Sequence, residues 1–172
     1  MEDDILLVEQ RGAVCWLSVN RPARRNAYNG VLFSRMLDAL AAAEADPEVF
    51  AVVLTGVGDK AFSTGADLKP DTEDSPLLRE EEELVHPAVR FFLAADAFSK
   101  PLIARVNGDA MAGGMGVLAM CDMAVAADHA RFSLPEVRIG LFPVLLVAAL
   151  RRLIPRRMMT EMALTGEFFG AQ

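Results

Sequence analysis

The stretch that decides the fold is PLIARVNGDAMAGGMGVLAMCDMAVAADHARFSLPE, residues 101–136. It begins with a short apolar run, Leu102–Val106, that is typical of a buried strand, followed by Asn107-Gly108, a dipeptide typical of a turn. Residues 112–120 are apolar on every side, which predicts a buried helix. This stretch therefore predicts a strand, a turn and a buried helix in direct succession.

Two glycines, Gly113 and Gly114, stand at the start of this predicted helix. Glycine is worse than alanine inside a helix by about 1 kcal/mol, so the pair indicates a close approach to the backbone, where the N–H groups of the first turn lack intrahelical partners. A phosphate loop needs Lys-Ser or Lys-Thr after its last glycine and a dinucleotide site needs G-x-G-x-x-G; neither pattern is present. Two interpretations remain: tight helix packing, or a helix N-terminus that stabilises a developing oxyanion.

Composition indicates one domain, residues 1–172, because 53% hydrophobic content at this length provides a substantial core. The acidic start MEDD differs from a signal peptide, and the longest apolar run, residues 141–150, is too short to span a bilayer. We therefore expect a cytoplasmic protein with no membrane partner. Cys15 and Cys121 lie far apart in apolar segments, which predicts packing roles and no metal site.

The net charge of −7 is concentrated in residues 71–83, which carry seven acids and one base. We expect a solvated loop there that leads into a helix. A nucleic-acid partner would need a basic stripe, and the sequence lacks one.

Hydrophobic periodicity along the chain predicts strands that alternate with helices. A hairpin with its turn at Arg11-Gly12 is expected first, then a helix over Gly30–Ala45 and a buried strand over residues 49–55. Further elements are a helix over residues 87–98, a strand over 123–127, and helices over 145–153 and 156–164 with Gly166 as the C-cap. This order is typical of an α/β fold with crossover connections.

Five motifs in this order resemble the enoyl-CoA hydratase/isomerase, or crotonase, family. They are AFSTGADL (61–68), VNGDAMAGGMG (106–116), CDMAVA (121–126), ARFSLPEVRIGLFP (130–143) and LTGE (164–167). The resemblance implies a superhelix of ββα units. It also implies that the chain lacks the C-terminal helical region that follows LTGE in the family, so that its last helices expose an apolar patch.

Carried over by position, the family's catalytic residues map to the backbone N–H groups of Ala66 and Gly113 around the thioester oxygen and to Glu136 as the acid–base group. Coenzyme A, as part of the substrate, is expected to lie along the loop before the first long helix and along the GAD segment. These positions are Arg25, Asn26, Ala27, Ser63, Thr64, Asp67 and Leu68, and Arg24 is a further candidate for phosphate contact. No permanently bound cofactor and no metal is expected.

One position departs from the hydratase pattern. The first of two glutamates in typical hydratases lies three residues after the oxyanion glycine, where this chain has Gly116. A glutamate there would project into an apolar pocket and promote hydration. With Glu136 as the single carboxylate, both hydration of a 2-enoyl-CoA and isomerisation of its double bond stay open, because one group can move a proton between two carbons.

The implied activity is therefore that of an enoyl-CoA hydratase/isomerase, a lyase or isomerase of fatty acid metabolism that acts on an acyl-CoA. A homo-oligomer, trimer or hexamer, is expected if the C-terminal region is present. The alternative functions are a non-catalytic acyl-CoA-binding or assembly subunit and an inactive truncated form.

Overall fold

The computed structural model describes residues 4–68 and 85–172. Five helices lie in these ranges: α1 (Gly30–Ala45), α2 (Pro87–Asp96), α3 (Gly113–Ala119), α4 (Val144–Leu150) and α5 (Arg156–Thr165). The nine strands are β1 (Leu6–Arg11), β2 (Val14–Val19), β3 (Ala51–Gly56), β4 (Ala61–Ser63), β5 (Leu102–Val106), β6 (Asp109–Met111), β7 (Met123–Ala126), β8 (Arg131–Ser133) and β9 (Phe169–Gly170).

The first sheet has five strands in the order β1-β2-β3-β5-β7. The hairpin β1-β2 is antiparallel, and the following pairs are parallel, with Leu17 opposite Leu54 and Leu54 opposite Ala104. These three residues are at most 1% exposed, and helices α1 and α2 bring Met36 and Phe91 to the same core. Continuous burial of this kind is typical of parallel strands, and it makes the first sheet the scaffold of the domain.

The second sheet has four short strands in the order β4-β6-β8-β9, of which the first three are mutually parallel. The chain alternates between the sheets: β3, β5 and β7 join the first, and β4, β6 and β8, which follow them, join the second. Helices α2 and α3 separate successive pairs of strands. This is the superhelix of ββα units that the sequence predicts.

The long elements agree with the sequence predictions. The hairpin, α1, β5 and α3 lie where they were expected, and Gly166 ends α5. The four strands of the second sheet were not predicted individually, because each has only two or three residues. The predicted acidic loop, residues 71–83, lies outside the described residues.

Both cysteines lie in the core, as their apolar surroundings in the sequence predict. Cys15 and Cys121 are buried and unpaired. None of the helices in the described ranges is long and apolar enough to cross a membrane. Between residues 137 and 145, ahead of most of the last two helices, Phe142 is 57% and Val144 71% exposed. The patch predicted on the last helices stays a prediction.

Candidate active site

The candidate site lies where the three parallel strands of the second sheet end. Ser63, Met111 and Ser133 are the last residues of β4, β6 and β8, and Met111 pairs directly with Ser133. Ala66, Gly113 and Glu136 follow these ends within three residues. Ligands of parallel sheets bind beyond the carboxyl ends of the strands, so the topology brings the three predicted catalytic residues to one edge.

The two candidate oxyanion donors approach each other closely because their neighbours lack side chains. Gly65 has φ +89°, and a Cβ on it would lie 2.6 Å from the Gly113 nitrogen. A Cβ on Gly114 would collide with the Ser63 carbonyl oxygen, and one on Gly113 would lie 3.5 Å from the Ala66 nitrogen. The two segments can therefore lie this close together only because residues 65 and 114 have no side chain.

The N–H groups of Ala66 and Gly113 have no acceptor among the residues that the structure describes. The residues beside Ala66 are both tied to Tyr28: the Tyr28 N–H donates to the Gly65 carbonyl (2.7 Å), and the Asp67 N–H donates to the Tyr28 carbonyl (2.8 Å). Both donors belong to half-buried residues. A pair of fixed, unpaired and accessible donors is what an oxyanion hole requires.

Glu136 lies in a 3₁₀ helix, Pro135–Ile139, directly beyond β8. Its Oε2 atom is buried and has no hydrogen-bond partner among the described residues. Burial raises the pKa of the Glu136 carboxyl above its ordinary value, and a hydrogen bond from backbone partly opposes this shift. A partly desolvated carboxylate with one oxygen left without a partner is suited to proton transfer near neutral pH.

Asp67 is a second carboxylate near this edge, but its environment is different. Its Oδ2 atom accepts a hydrogen bond from Arg21 at 2.7 Å, and Arg24 lies 3.8 Å from its Oδ1 atom. The Asp67 carboxylate is therefore held by an ion pair with arginine. The two carboxylates therefore differ. Asp67 forms an ion pair with Arg21, whereas the Oε2 atom of Glu136 has no hydrogen-bond partner among the described residues.

The residues predicted to contact coenzyme A divide into two groups. Asn26, Ala27 and Ser63 are buried, and the Asn26 amide donates to the Val57 and Ala61 carbonyls, so its side chain has a structural role. The side chains nearer the surface are those of Arg25, Thr64 and Leu68. The backbone N–H and carbonyl groups of these residues stay candidates for contact with coenzyme A.

One further residue was missed by sequence reasoning. Lys60 lines a pocket of about 170 Å³ together with Arg25 and Gly58. Its position follows from the turn between β3 and β4, which no local pattern relates to the loop of Arg25. Arg24, by contrast, directs its guanidinium toward Asp67.

The prediction for Gly116 is wrong in one respect: no vacant apolar pocket lies beside it. A Cβ on Gly116 would lie 2.5 Å from Leu146 Cδ2 and 2.8 Å from Phe92 Cζ. The glycine lets α3 pack against α4 and α2. A glutamate at this position would have to displace two buried apolar side chains.

A metal centre has no support within the described ranges, where no three His, Cys, Asp or Glu side chains form a group that could hold an ion. His86 accepts from the Ala88 N–H at the start of α2, and His129 bonds to the Asp59 carbonyl. Both histidines therefore have structural partners.

Comparison with known proteins shows which family this chain resembles. The family model described as enoyl-CoA hydratase/isomerase matches residues 9–172. The 2,3-dehydroadipyl-CoA hydratase of Escherichia coli is 36% identical over 170 residues, which cover 97% of this chain and 64% of that protein. The crotonyl-CoA hydratase of Syntrophomonas wolfei is 38% identical over 142 residues, or 83% of this chain and 53% of the relative.

The solved structures show the same likeness. The enoyl-CoA hydratase of Mycobacterium smegmatis superposes with a TM-score of 0.88 at 35% identity, over 98% of this chain and 65% of that one. The chain thus spans somewhat less than two thirds of the length of the relatives it matches. By the extent of these matches, the chain belongs to the enoyl-CoA hydratase/isomerase family.

Proposed function

We propose that the protein binds an acyl-CoA thioester, stabilises its enolate with the N–H groups of Ala66 and Gly113, and moves a proton with Glu136. The observation that carries this proposal is the shared position of two N–H donors and of the Glu136 carboxylate, with its Oε2 atom unpartnered among the described residues, just beyond the carboxyl ends of β4, β6 and β8. Donors aimed at a developing negative charge strengthen as the enolate forms, so they favour the transition state over the substrate.

The first candidate reaction is hydration of a 2-enoyl-CoA, because the relatives named above are hydratases. Glu136 takes a proton from water as the water oxygen bonds to C3, and the π electrons move onto the thioester oxygen between Ala66 and Gly113. The carbonyl then re-forms as Glu136 returns the proton to C2. One molecule of water is added, and the carboxylate ends as it began.

The second candidate is isomerisation of a 3-enoyl-CoA, which the packing at Gly116 favours. Leu146 and Phe92 fill the space where a second carboxylate would project, and one carboxylate suffices to take a proton from C2 and return it at C4. The thioester oxygen carries the charge of the dienolate in between. Both reactions use the same three residues.

Binding of coenzyme A is the remaining part of the proposal. Arg25 and Lys60 line one pocket, and two cations there suit the phosphates of the cofactor. Arg24 Nη1 lies 3.8 Å from Asp67 Oδ1 and has no hydrogen-bond partner among the described residues, so Arg24 stays a candidate beside Lys60, which lines the pocket with Arg25. A Lys60→Ala variant is expected to raise KM with little change in kcat, since phosphate contacts are equal in substrate and transition state.

The test is turnover of a 2-enoyl-CoA and a 3-enoyl-CoA side by side, on this chain and on a longer natural form. Enolate formation is measured separately by exchange of the C2 protons of a saturated acyl-CoA in deuterated water. We expect exchange and at least one of the two reactions. Tight acyl-CoA binding without exchange would instead identify a non-catalytic binding subunit and overturn the proposal.

Assembly into a trimer or hexamer stays a prediction. Light scattering on the longer form measures it directly.

A further inference from the structure

Ser133 connects the two halves of the candidate site. It is fully buried at the end of β8, and its two polar groups point to different segments of the chain. Its carbonyl oxygen accepts a hydrogen bond from the Ala112 N–H (3.1 Å), and its hydroxyl donates to the Gly166 carbonyl (3.0 Å). One residue thereby links the segments before Gly113 and after α5.

The bond to Ala112 matters because Ala112 aims the Gly113 N–H. Ala112 has φ +47° and ψ −126°, a region that residues with a Cβ rarely adopt. Its carbonyl accepts from the Met115 N–H (2.9 Å) inside α3. Since a trans peptide is planar, the Gly113 N–H must then point the opposite way, out of the helix. The hydrogen bond that the Ala112 N–H donates to the Ser133 carbonyl helps to hold Ala112 in this unfavourable conformation.

The hydrogen bond from the Ser133 hydroxyl to Gly166 connects Ser133 with the 3₁₀ helix that contains Glu136, because Gly166 packs against that helix. A Cβ on Gly166 would lie 3.3 Å from Pro135 Cα and 3.1 Å from Arg138 Nε, so Gly166 packs directly on the 3₁₀ helix. The Ser133 hydroxyl therefore fixes the Gly166 segment against the helix of Glu136. Glu136 itself follows Ser133 by three residues.

We infer that Ser133 is a positioning residue that sets the Gly113 N–H and the Glu136 carboxylate in one geometry. The inference rests on the proposed function, since it assigns to Ser133 the alignment of the groups that perform it. Ser133 touches no reacting atom: its effect passes through Ala112 on one side and Gly166 on the other. If residue 133 only filled space in the core, alanine would serve as well as serine.

The test is Ser133→Ala, which keeps the backbone bond to Ala112 and removes the bond to Gly166. We expect kcat, and C2 exchange in deuterated water, to fall about ten- to a hundredfold, as for a small misplacement of reacting groups. KM should stay within twofold, because the candidate contacts to coenzyme A lie elsewhere. A merely structural role predicts a lower melting temperature with unchanged kcat in the folded protein.

Thr55→Val is the matched control. Thr55 is also buried, and its hydroxyl donates to the Arg105 carbonyl at 2.8 Å, but it lies in the first sheet. This variant should lose a comparable amount of thermal stability and keep kcat within twofold. Both variants are assayed well below their melting temperatures.

Ser133→Cys covers the case in which Ser133→Ala does not fold, because a thiol is a weak donor of similar size. We expect kcat to fall three- to tenfold in this variant. Normal kcat in a folded Ser133→Ala, or in Ser133→Cys if that alone folds, overturns the inference and leaves the proposed function intact. Absence of exchange and turnover in the unmodified protein would instead overturn the proposed function.

Discussion

The two sheets of this domain are held together in different ways. The first sheet has strands of four to six residues whose inward side chains, such as Leu17 and Leu54, are almost wholly buried. The second has strands of two or three residues and depends on individual contacts, such as the packing of Gly114 on the Ser63 carbonyl and the two bonds of Ser133. We therefore expect burial to dominate the energetics of the first sheet and single contacts in the second to set the site geometry.

This difference has a consequence for mutations. A substitution in the first sheet should lower the free energy of unfolding and leave the turnover rate of the folded protein unchanged. A substitution at the carboxyl edge of the second sheet should lower the rate more than the stability. Four variants, ordered by the size of the expected effect, probe this contrast.

Glu136→Gln should have the largest effect, a loss of about 10²–10⁴ in kcat, which is the usual contribution of general acid–base catalysis. Acyl-CoA binding should survive, because the carboxylate is not among the candidate contacts to coenzyme A. The measurements are steady-state turnover and calorimetric binding of a saturated acyl-CoA. Near-normal kcat in this variant would remove Glu136 from the mechanism.

The same residue predicts a pH dependence of stability. Burial raises the pKa of the folded-state carboxyl above the unfolded value of about 4.3. Protonated Glu136 thus contributes stability that is fully present below the unfolded pKa and is lost as pH rises through the folded pKa. Glu136→Gln should melt at a higher temperature than the parent at neutral pH, and the difference should shrink on acidification. A difference that grows on acidification would contradict the unpaired environment.

The activity of the parent should show the opposite trend. Proton abstraction needs the ionised carboxylate, so kcat/KM should fall as pH drops through the raised pKa of Glu136. The profile of the parent, measured where the protein stays folded, gives that pKa directly.

Gly114→Ala should lower kcat by about 10²–10³, the typical cost of losing one oxyanion donor. The added Cβ would meet the Ser63 carbonyl oxygen, so the start of α3 and the Gly113 N–H must shift. The control is Gly30→Ala at the start of α1, where a Cβ meets nothing within 4 Å. The control should keep both kcat and the melting temperature, whereas equal rates in the two variants would refute the close-approach argument.

Leu54→Ala tests the first sheet. Leu54 is 1% exposed in the centre of β3, and truncating a buried leucine to alanine costs about 2–5 kcal/mol of unfolding free energy. Denaturant unfolding measures the loss. Turnover per folded molecule should stay within twofold, and a large fall in kcat at low temperature would mean that the scaffold also tunes the site.

Arg131→Ala should have the smallest effect. Arg131 begins β8 and forms two hydrogen bonds with Asp109, at 3.1 and 2.7 Å, at the amino edge of the second sheet and away from the site. The Arg131 side chain is 55% exposed, so water and salt screen its attraction to the Asp109 carboxylate. We expect little change in kcat. A large loss would show that both edges of the second sheet control the site.

The sequence by itself determined the parts of the fold that have local periodicity. The spacing of apolar residues predicts α1 at its observed bounds, the run Leu102–Val106 predicts β5, and Arg11-Gly12 marks the hairpin. Five motifs in the sequence indicated the family, and the resemblance, carried over by position, indicated Ala66, Gly113 and Glu136. These features depend on side chains close together in the chain, and a single sequence records such neighbours directly.

The tertiary structure alone decided how those residues are used. Strands as short as β6 and β8 carry no periodic signal, and they exist because long-range pairing joins them. Long-range packing also fills the space beside Gly116 and brings the Ser133 hydroxyl to the Gly166 carbonyl, to which it donates a hydrogen bond. Asp67 is ion-paired with Arg21, 46 residues away, while the Oε2 atom of Glu136 is buried without a hydrogen-bond partner among the described residues. The pKa of a carboxyl is set by its neighbours in space, which the order of residues along the chain does not specify.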